Sequence, residues 1–146
     1  MLLSYWRYFD VDPQQLYDIY VESIQTVYGD NSMFMEDLSL FLAEPGACLS
    51  VWETQGNAVA ALRTEPYMDG YLISCLETAP ECRRKGYAEK VVTALFSVQP
   101  GVYYAHVDKR NKASLAIHKK LGFTVISDHA VHVDGSVFSN SYTMKR

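Results

Sequence analysis

Apolar residues recur along the chain first at helical spacing, then in short strand-length runs, then in alternating blocks of the two. Leu2 to Phe9 reads as a first strand. Asp12 predicts a helix N-cap, with Pro13 in the first turn and Gln15 closing a capping box. Leu16, Ile19, Tyr20, Ile24 and Val27 follow on one helical face, until Gly29-Asp30-Asn31-Ser32 breaks it. A second helix carries Phe34, Met35, Leu38, Phe41 and Leu42 on one side and ends at Pro45-Gly46.

The period then shortens. Ala47 to Trp52 and Ala58 to Arg63 are apolar runs joined through Gln55-Gly56-Asn57, a hairpin signal. Tyr71 to Thr78 follows the turn Met68-Asp69-Gly70, so three antiparallel strands are expected. Ala88, Val91, Val92, Leu95 and Phe96 restore helical spacing, Gln99-Pro100-Gly101 stops it, and Val102 to Val107 is another strand. A strand, helix and strand of this length form a right-handed crossover, which makes the two strands parallel. Asn111 caps a further helix with Ala113, Ala116, Ile117 and Leu121 facing inward and Gly122 at its end. Phe123 to Val133 and Ser136 to Met144 form a hairpin around Asp134-Gly135. The expected fold is a single α/β (α+β) domain over residues 1–146: a mixed, mostly antiparallel sheet of six to seven strands with a parallel pair, flanked by about four helices.

Composition narrows the function without naming it. The 146 residues carry 13 basic and 17 acidic side chains, a net charge of -4, which argues against a general nucleic-acid binder. Cys48, Cys75 and Cys82 are odd in number and lack metal-ligand spacing, as expected of reduced cytoplasmic thiols. The N-terminal segment is too short and polar for a signal peptide, and no apolar run approaches the roughly 20 residues of a membrane span.

Against that acidic background, Arg83-Arg84-Lys85-Gly86-Tyr87-Ala88 stands out, between a strand and an amphipathic helix. First-turn amides of a helix lack internal acceptors and lie at the positive end of its dipole, so an anion is stabilised there. Gly86 allows close backbone approach, and the three basic side chains add charge. The plain alternative is a solvated surface loop.

Two segments together resemble the GNAT N-acetyltransferases. Arg83 to Ala88, preceded by Pro80, is similar to the family's Q/R-x-x-G-x-G/A loop, and Asn111 to Phe123 to its N-x-x-A/S-x-x-L-Y-x-K-x-G-F segment. The order of elements agrees along nearly the whole chain. The resemblance implies acetyl-CoA as cosubstrate, its pyrophosphate on Arg83, Arg84, Lys85, Gly86, Tyr87 and Ala88. It implies parallel strands that splay, with backbone around Leu76, Glu77 and Thr78 facing pantetheine and thioester, and Asn111 and Ser114 bordering the cofactor. The implied reaction is direct acetyl transfer to a primary amine on a small molecule or peptide, in a ternary complex. A non-catalytic sensor of CoA or acyl-CoA is the alternative.

His118 stands where the family often has a tyrosine that protonates the leaving thiolate, and a histidine could do the same. A helix residue merely bordering the cofactor is the other reading. Strict alternation puts Tyr71, Ile73, Cys75 and Glu77 on one strand face, making Glu77 a candidate base near the thioester. His106, sharing a face with Tyr104 and Asp108, is a second candidate. Tyr67, Tyr71, Tyr104 and Trp52 could line an acceptor pocket or simply pack in the core. His129 and His132 lack metal-ligand spacing, and exposed sheet edges make a homodimer reasonable.

Overall fold

The computed structural model describes residues 1–5 and 10–146. Seven strands form one sheet in the order β1-β2-β3-β4-β5-β9-β6: β1 (Leu2–Tyr5), β2 (Cys48–Thr54), β3 (Asn57–Tyr67), β4 (Gly70–Thr78), β5 (Tyr103–Asp108), β6 (Thr124–Ser127) and β9 (Ser141–Lys145). All neighbours are antiparallel except β4 and β5. The helices are α1 (Pro13–Ile19), the three-residue α2 (Val21–Ser23), α3 (Asn31–Ala43), α4 (Tyr87–Val98) and α5 (Lys112–Lys120). The mixed sheet and its parallel pair are those the sequence predicts. Part of the first predicted strand, residues 6–9, lies outside the described residues.

Two cores cover the sheet, one per face. Leu16, Ile19, Phe34, Leu38 and Leu42 of the first helices pack on Leu49, Val51 and Ala61. Val91, Val92 and Leu95 of α4 pack with Leu62, Ile73, Tyr103, Ala105 and Phe123 on the other face. Leu16, Leu38, Leu49 and Leu62 are fully buried, and truncating any of them to Ala would cost about 2–5 kcal/mol.

Several expectations shift by one residue or one face. Asp12 accepts from the Gln14 amide at 3.0 Å, but Gln15 does not close a capping box. Its Oε1 accepts from the Ala58 amide at 2.8 Å instead, tying α1 to the β2–β3 hairpin. After α2 the chain makes a π turn over Ile24–Tyr28, closed by Gly29 N–H on the Ile24 carbonyl at 2.7 Å. The extra residue rotates the last positions of this helical stretch, so Val27 is 73% exposed and Tyr28 packs inward against Phe34. In α5 the buried side chains are Leu115 and His118, while Ala113 and Ala116 are exposed and Ile117 and Leu121 half-buried. The bulkier Leu115 takes the interior.

The C-terminal hairpin is also divided. Its inner strands β6 and β9 join the main sheet, with β9 inserted between β5 and β6. Its outer part, β7 (Ala130–Val131) and β8 (Val137–Phe138), forms a separate two-stranded ribbon.

Candidate active site

The site begins where the parallel pair stops. β4 and β5 pair only at Tyr71 with Tyr103, Leu72 with Tyr104 and Ile73 with Ala105. Gly70 makes the close start possible: a Cβ there would meet the Val102 carbonyl oxygen at 2.0 Å. Beyond Ile73 the strands part, and β4 continues alone on that side through Leu76, Glu77 and Thr78.

A bulge decides which way those residues face. The β3–β4 register slips between Ala61 and Arg63, which pair with Glu77 and Ser74. Cys75 absorbs the extra residue at φ +52°, and its carbonyl accepts from the buried Tyr20 hydroxyl at 2.7 Å. Strict alternation therefore fails. Tyr71, Ile73 and Leu76 pack with the α4 core, whereas Glu77 turns to the face of the first helices, where Ser23 Oγ donates to its Oε1 at 3.1 Å. This corrects the expectation that Glu77 shares a face with Tyr71 and Ile73.

The start of α4 is the other half of the site. Asp12, Asp30 and Asn111 cap α1, α3 and α5 with side-chain acceptors. α4 starts at Gly86, with no side-chain cap. Lys90 N–H reaches the Gly86 carbonyl at 3.0 Å, so the amides of Tyr87, Ala88 and Glu89 precede the first helical bond. Arg84 and Gly86 have φ values of +64° and +80°, which turns the loop tightly, and the space beside the Gly86 Cα is open.

These two halves face a cleft of about 660 Å³. Leu76, Glu77, Thr78, Arg83, Arg84, Gly86, Tyr87, Ala88, Asn111 and Ser114 all line it. Lys85 and His118 do not. Lys85 borders a neighbouring depression with Gln15 and Asp18. His118 is 7% exposed and belongs to the end of α5. There Phe123 N–H bonds the His118 carbonyl and Gly122 N–H that of Lys119, a Schellman closure, and the Phe123 ring meets the imidazole edge-on at 5.3 Å. Its Nδ1 lies 2.7 Å from the Ser114 carbonyl, which can only accept, so Nδ1 carries the proton. Burial lowers the imidazole's affinity for a second proton.

Charges at the mouth are paired asymmetrically. Arg83 Nη1 meets Glu22 Oε1 at 2.8 Å, and this bond holds the Glu22 carboxyl below its ordinary range. Burial pushes the Glu77 pKa up; the Ser23 hydrogen bond and the Arg83 charge oppose this, and Glu22 adds to it. Lys120 pairs with Glu89 at 3.0 Å. The fixed amides at α4 and the guanidinium groups suit a phosphorylated ligand, and the half-buried carboxylate beside them suits proton abstraction. Ser23 and Glu22 were invisible to sequence reasoning, because only the fold brings them to β4.

His106, the other candidate base, lies on β5 away from this cleft. Its Nε2 is 3.3 Å from the Tyr67 hydroxyl, and burial, helped by His132, pushes its pKa down to about 4. Tyr67 donates to the Val131 carbonyl and Tyr104 to Asp69. Tyr71 packs against Tyr103, with ring centroids 5.6 Å apart, and Trp52 is half-buried against the α4 core. Among the described residues no cluster of His, Cys, Asp and Glu could hold a metal ion, and no helix is long and apolar enough to cross a membrane.

Comparison with known proteins agrees with this geometry. No curated protein matches the chain in sequence. Among solved structures, aminoglycoside 6′-acetyltransferase type Ii superposes with a TM-score of 0.74 at 18% identity, over 100% of this chain and 96% of that one. PaiA N-acetyltransferase from Thermoplasma acidophilum, in complex with coenzyme A, gives 0.70 at 10% identity, over 100% and 98%. Ribosomal-protein-alanine N-acetyltransferase from Brucella melitensis gives 0.69 at 18% identity, over 99% and 98%. At such identities the likeness is one of fold. The family comparison reaches further: residues 13–123, which take in the splayed strands, the uncapped start of α4 and all of α5, match the acetyltransferase (GNAT) family, and the chain belongs to it.

Proposed function

We propose that the chain is an N-acetyltransferase that moves acetyl from acetyl-CoA to a primary amine by direct attack. One observation carries this reading: the uncapped helix start and the half-buried Glu77 line the same cleft, at the splay of β4 from β5. The amides of Tyr87, Ala88 and Glu89, with Arg83 and Arg84, would hold the pyrophosphate. Backbone at Leu76 and Thr78 would hold the extended arm, with Asn111 and Ser114 on the opposite wall. The bound cosubstrate supplies an acetyl thioester.

Glu77 removes the proton that a protonated amine must lose before it attacks. Burial raises its proton affinity, which matches it better to that task than an exposed glutamate. Ser23 fixes the carboxylate and favours its charged form. The N–C bond forms as C–S breaks, and the departing thiolate takes its proton from solvent. His118 has no proton to offer in its neutral form, because Nδ1–H is held by Ser114. A thiolate is a good enough leaving group not to need one.

The test is free-thiol release from acetyl-CoA across a panel of amines and peptides. Release that requires both the acceptor and Glu77 supports the enzyme. Saturable CoA binding without release across the panel would instead fit a sensor.

A further inference from the structure

A second cavity, of about 600 Å³, lies beneath the β7–β8 ribbon, apart from the cleft at the start of α4. Tyr67, Met68, Ile126, Val131, His132 and Val133 form most of its wall. No residue lining it is Asp or Glu. Its three hydroxyls are already committed: Tyr67 to the Val131 carbonyl, Thr143 to the His129 carbonyl at 2.7 Å, and Ser127 with His129 Nδ1 at 3.1 Å. Ring contacts continue from it, Tyr67 to His106 at 5.3 Å, His106 to His132 at 5.1 Å and His132 to Phe138 at 4.2 Å between centroids. The lining itself offers aromatic faces and branched methyls and no carboxylate.

Its position connects it to the splay. Tyr103, Ala105 and Val107 of β5 pack with the α4 core, so His106 points to the opposite face, which is also the face of Glu77. His106 follows Ala105, the last β5 residue paired with β4, and so stands opposite Ser74. Glu77 lies three residues further along β4, one of them the bulge at Cys75, so the strand advances about 7 Å between the two.

We propose that this cavity binds an aromatic or branched apolar group of the acceptor, so that the amine acetylated is carried on an apolar body. The role of the amine rests on the acetyl-transfer reading; the cavity does not.

The test is calorimetric titration of the whole chain, without acetyl-CoA, with 4-phenylbutylamine, n-butylamine and spermidine. The aromatic amine should bind at least tenfold more tightly than n-butylamine and more tightly than spermidine. Val133→Asp and Ile126→Asp, at positions 61% and 51% exposed, should each weaken it about tenfold with little change in melting temperature. Equal affinities, tighter spermidine binding, or indifference to both substitutions would overturn the proposal. So would a dimer in sedimentation that covers the ribbon and excludes the amine. Binding of 4-phenylbutylamine with no thiol release from it or from any amine of the panel leaves the cavity standing and removes the transferase. Thiol release indifferent to the apolar group and to Val133→Asp does the reverse.

Discussion

Ser23 Oγ donates to Glu77 Oε1 across 54 residues of sequence, and this one bond joins the end of α2 to the splayed end of β4. Glu77 therefore answers to two neighbours of opposite effect. Ser23 stabilises its charged form, and Glu22 destabilises it. If Glu77 is the base, Ser23→Ala should move the acidic limb of the kcat/KM–pH profile to higher pH. Glu22→Gln should move it lower, because it removes a like charge and frees Arg83. Glu77→Gln should cost roughly 10²-fold or more in kcat/KM, with acetyl-CoA binding retained. Limbs that stay fixed in both neighbours' variants would exclude Glu77.

Gly86 separates backbone strain from ligand binding. A Cβ there meets nothing within 4 Å, but φ is +80°. Gly86→Ala should therefore lower stability by about 1 kcal/mol, the ordinary penalty for a left-handed residue. Saturating acetyl-CoA, at about 100 times its Kd, should stabilise the native chain by about 2.7 kcal/mol, or roughly 5–10 °C in melting temperature. Gly86→Glu should abolish that shift by setting a carboxylate against the anion. Its persistence in Gly86→Glu would move the pyrophosphate elsewhere.

His118→Ala should act on stability before chemistry. It removes the ring that meets Phe123 and the bond to the Ser114 carbonyl, at a cost of about 2 kcal/mol. Turnover per folded molecule should change by less than about tenfold. A fall of 10²-fold or more at unchanged cofactor affinity would restore the imidazole to catalysis.

His106 gives stability an acid dependence. Its folded pKa of about 4 lies below the ordinary 6.5. Between those values the unfolded chain binds the proton and the folded chain does not. This contribution is complete above pH 6.5, falls away towards pH 4 and is flat below. With the ring still half in contact with water, it is worth about 1–2 kcal/mol. Denaturant titrations of His106→Phe and the parent chain should differ in slope over that window alone.

The large pattern was legible because it depends on composition at fixed period. Val91, Val92 and Leu95 could only be one face of a helix, and Gly86 after Arg83-Arg84-Lys85 could only be a turn. The failures share a cause. Val27 and the face of Glu77 were both placed by counting residues at constant period. In each case one extra residue, in the π turn before Gly29 and in the bulge at Cys75, broke the count. The bulge is held by Tyr20 reaching Cys75 across 55 residues, a contact that no local window contains. Ser23 and Glu22 escaped for the same reason. His118 matched its motif position, but its orientation was set by the helix ending at Gly122.

The bulge at Cys75 reverses an ordinary rule about insertions and deletions. Removing one residue from a strand normally throws its side chains onto the wrong faces. Cys75 is the surplus residue of its strand, so its loss would give β4 a regular pleat. Leu76 would still point towards α4 and Glu77 towards the first helices. The cost would fall on the anchor that Tyr20 makes with the Cys75 carbonyl and on the extra local twist. Genetic drift in strand length is thus tolerated best at a strand position that already breaks the pattern.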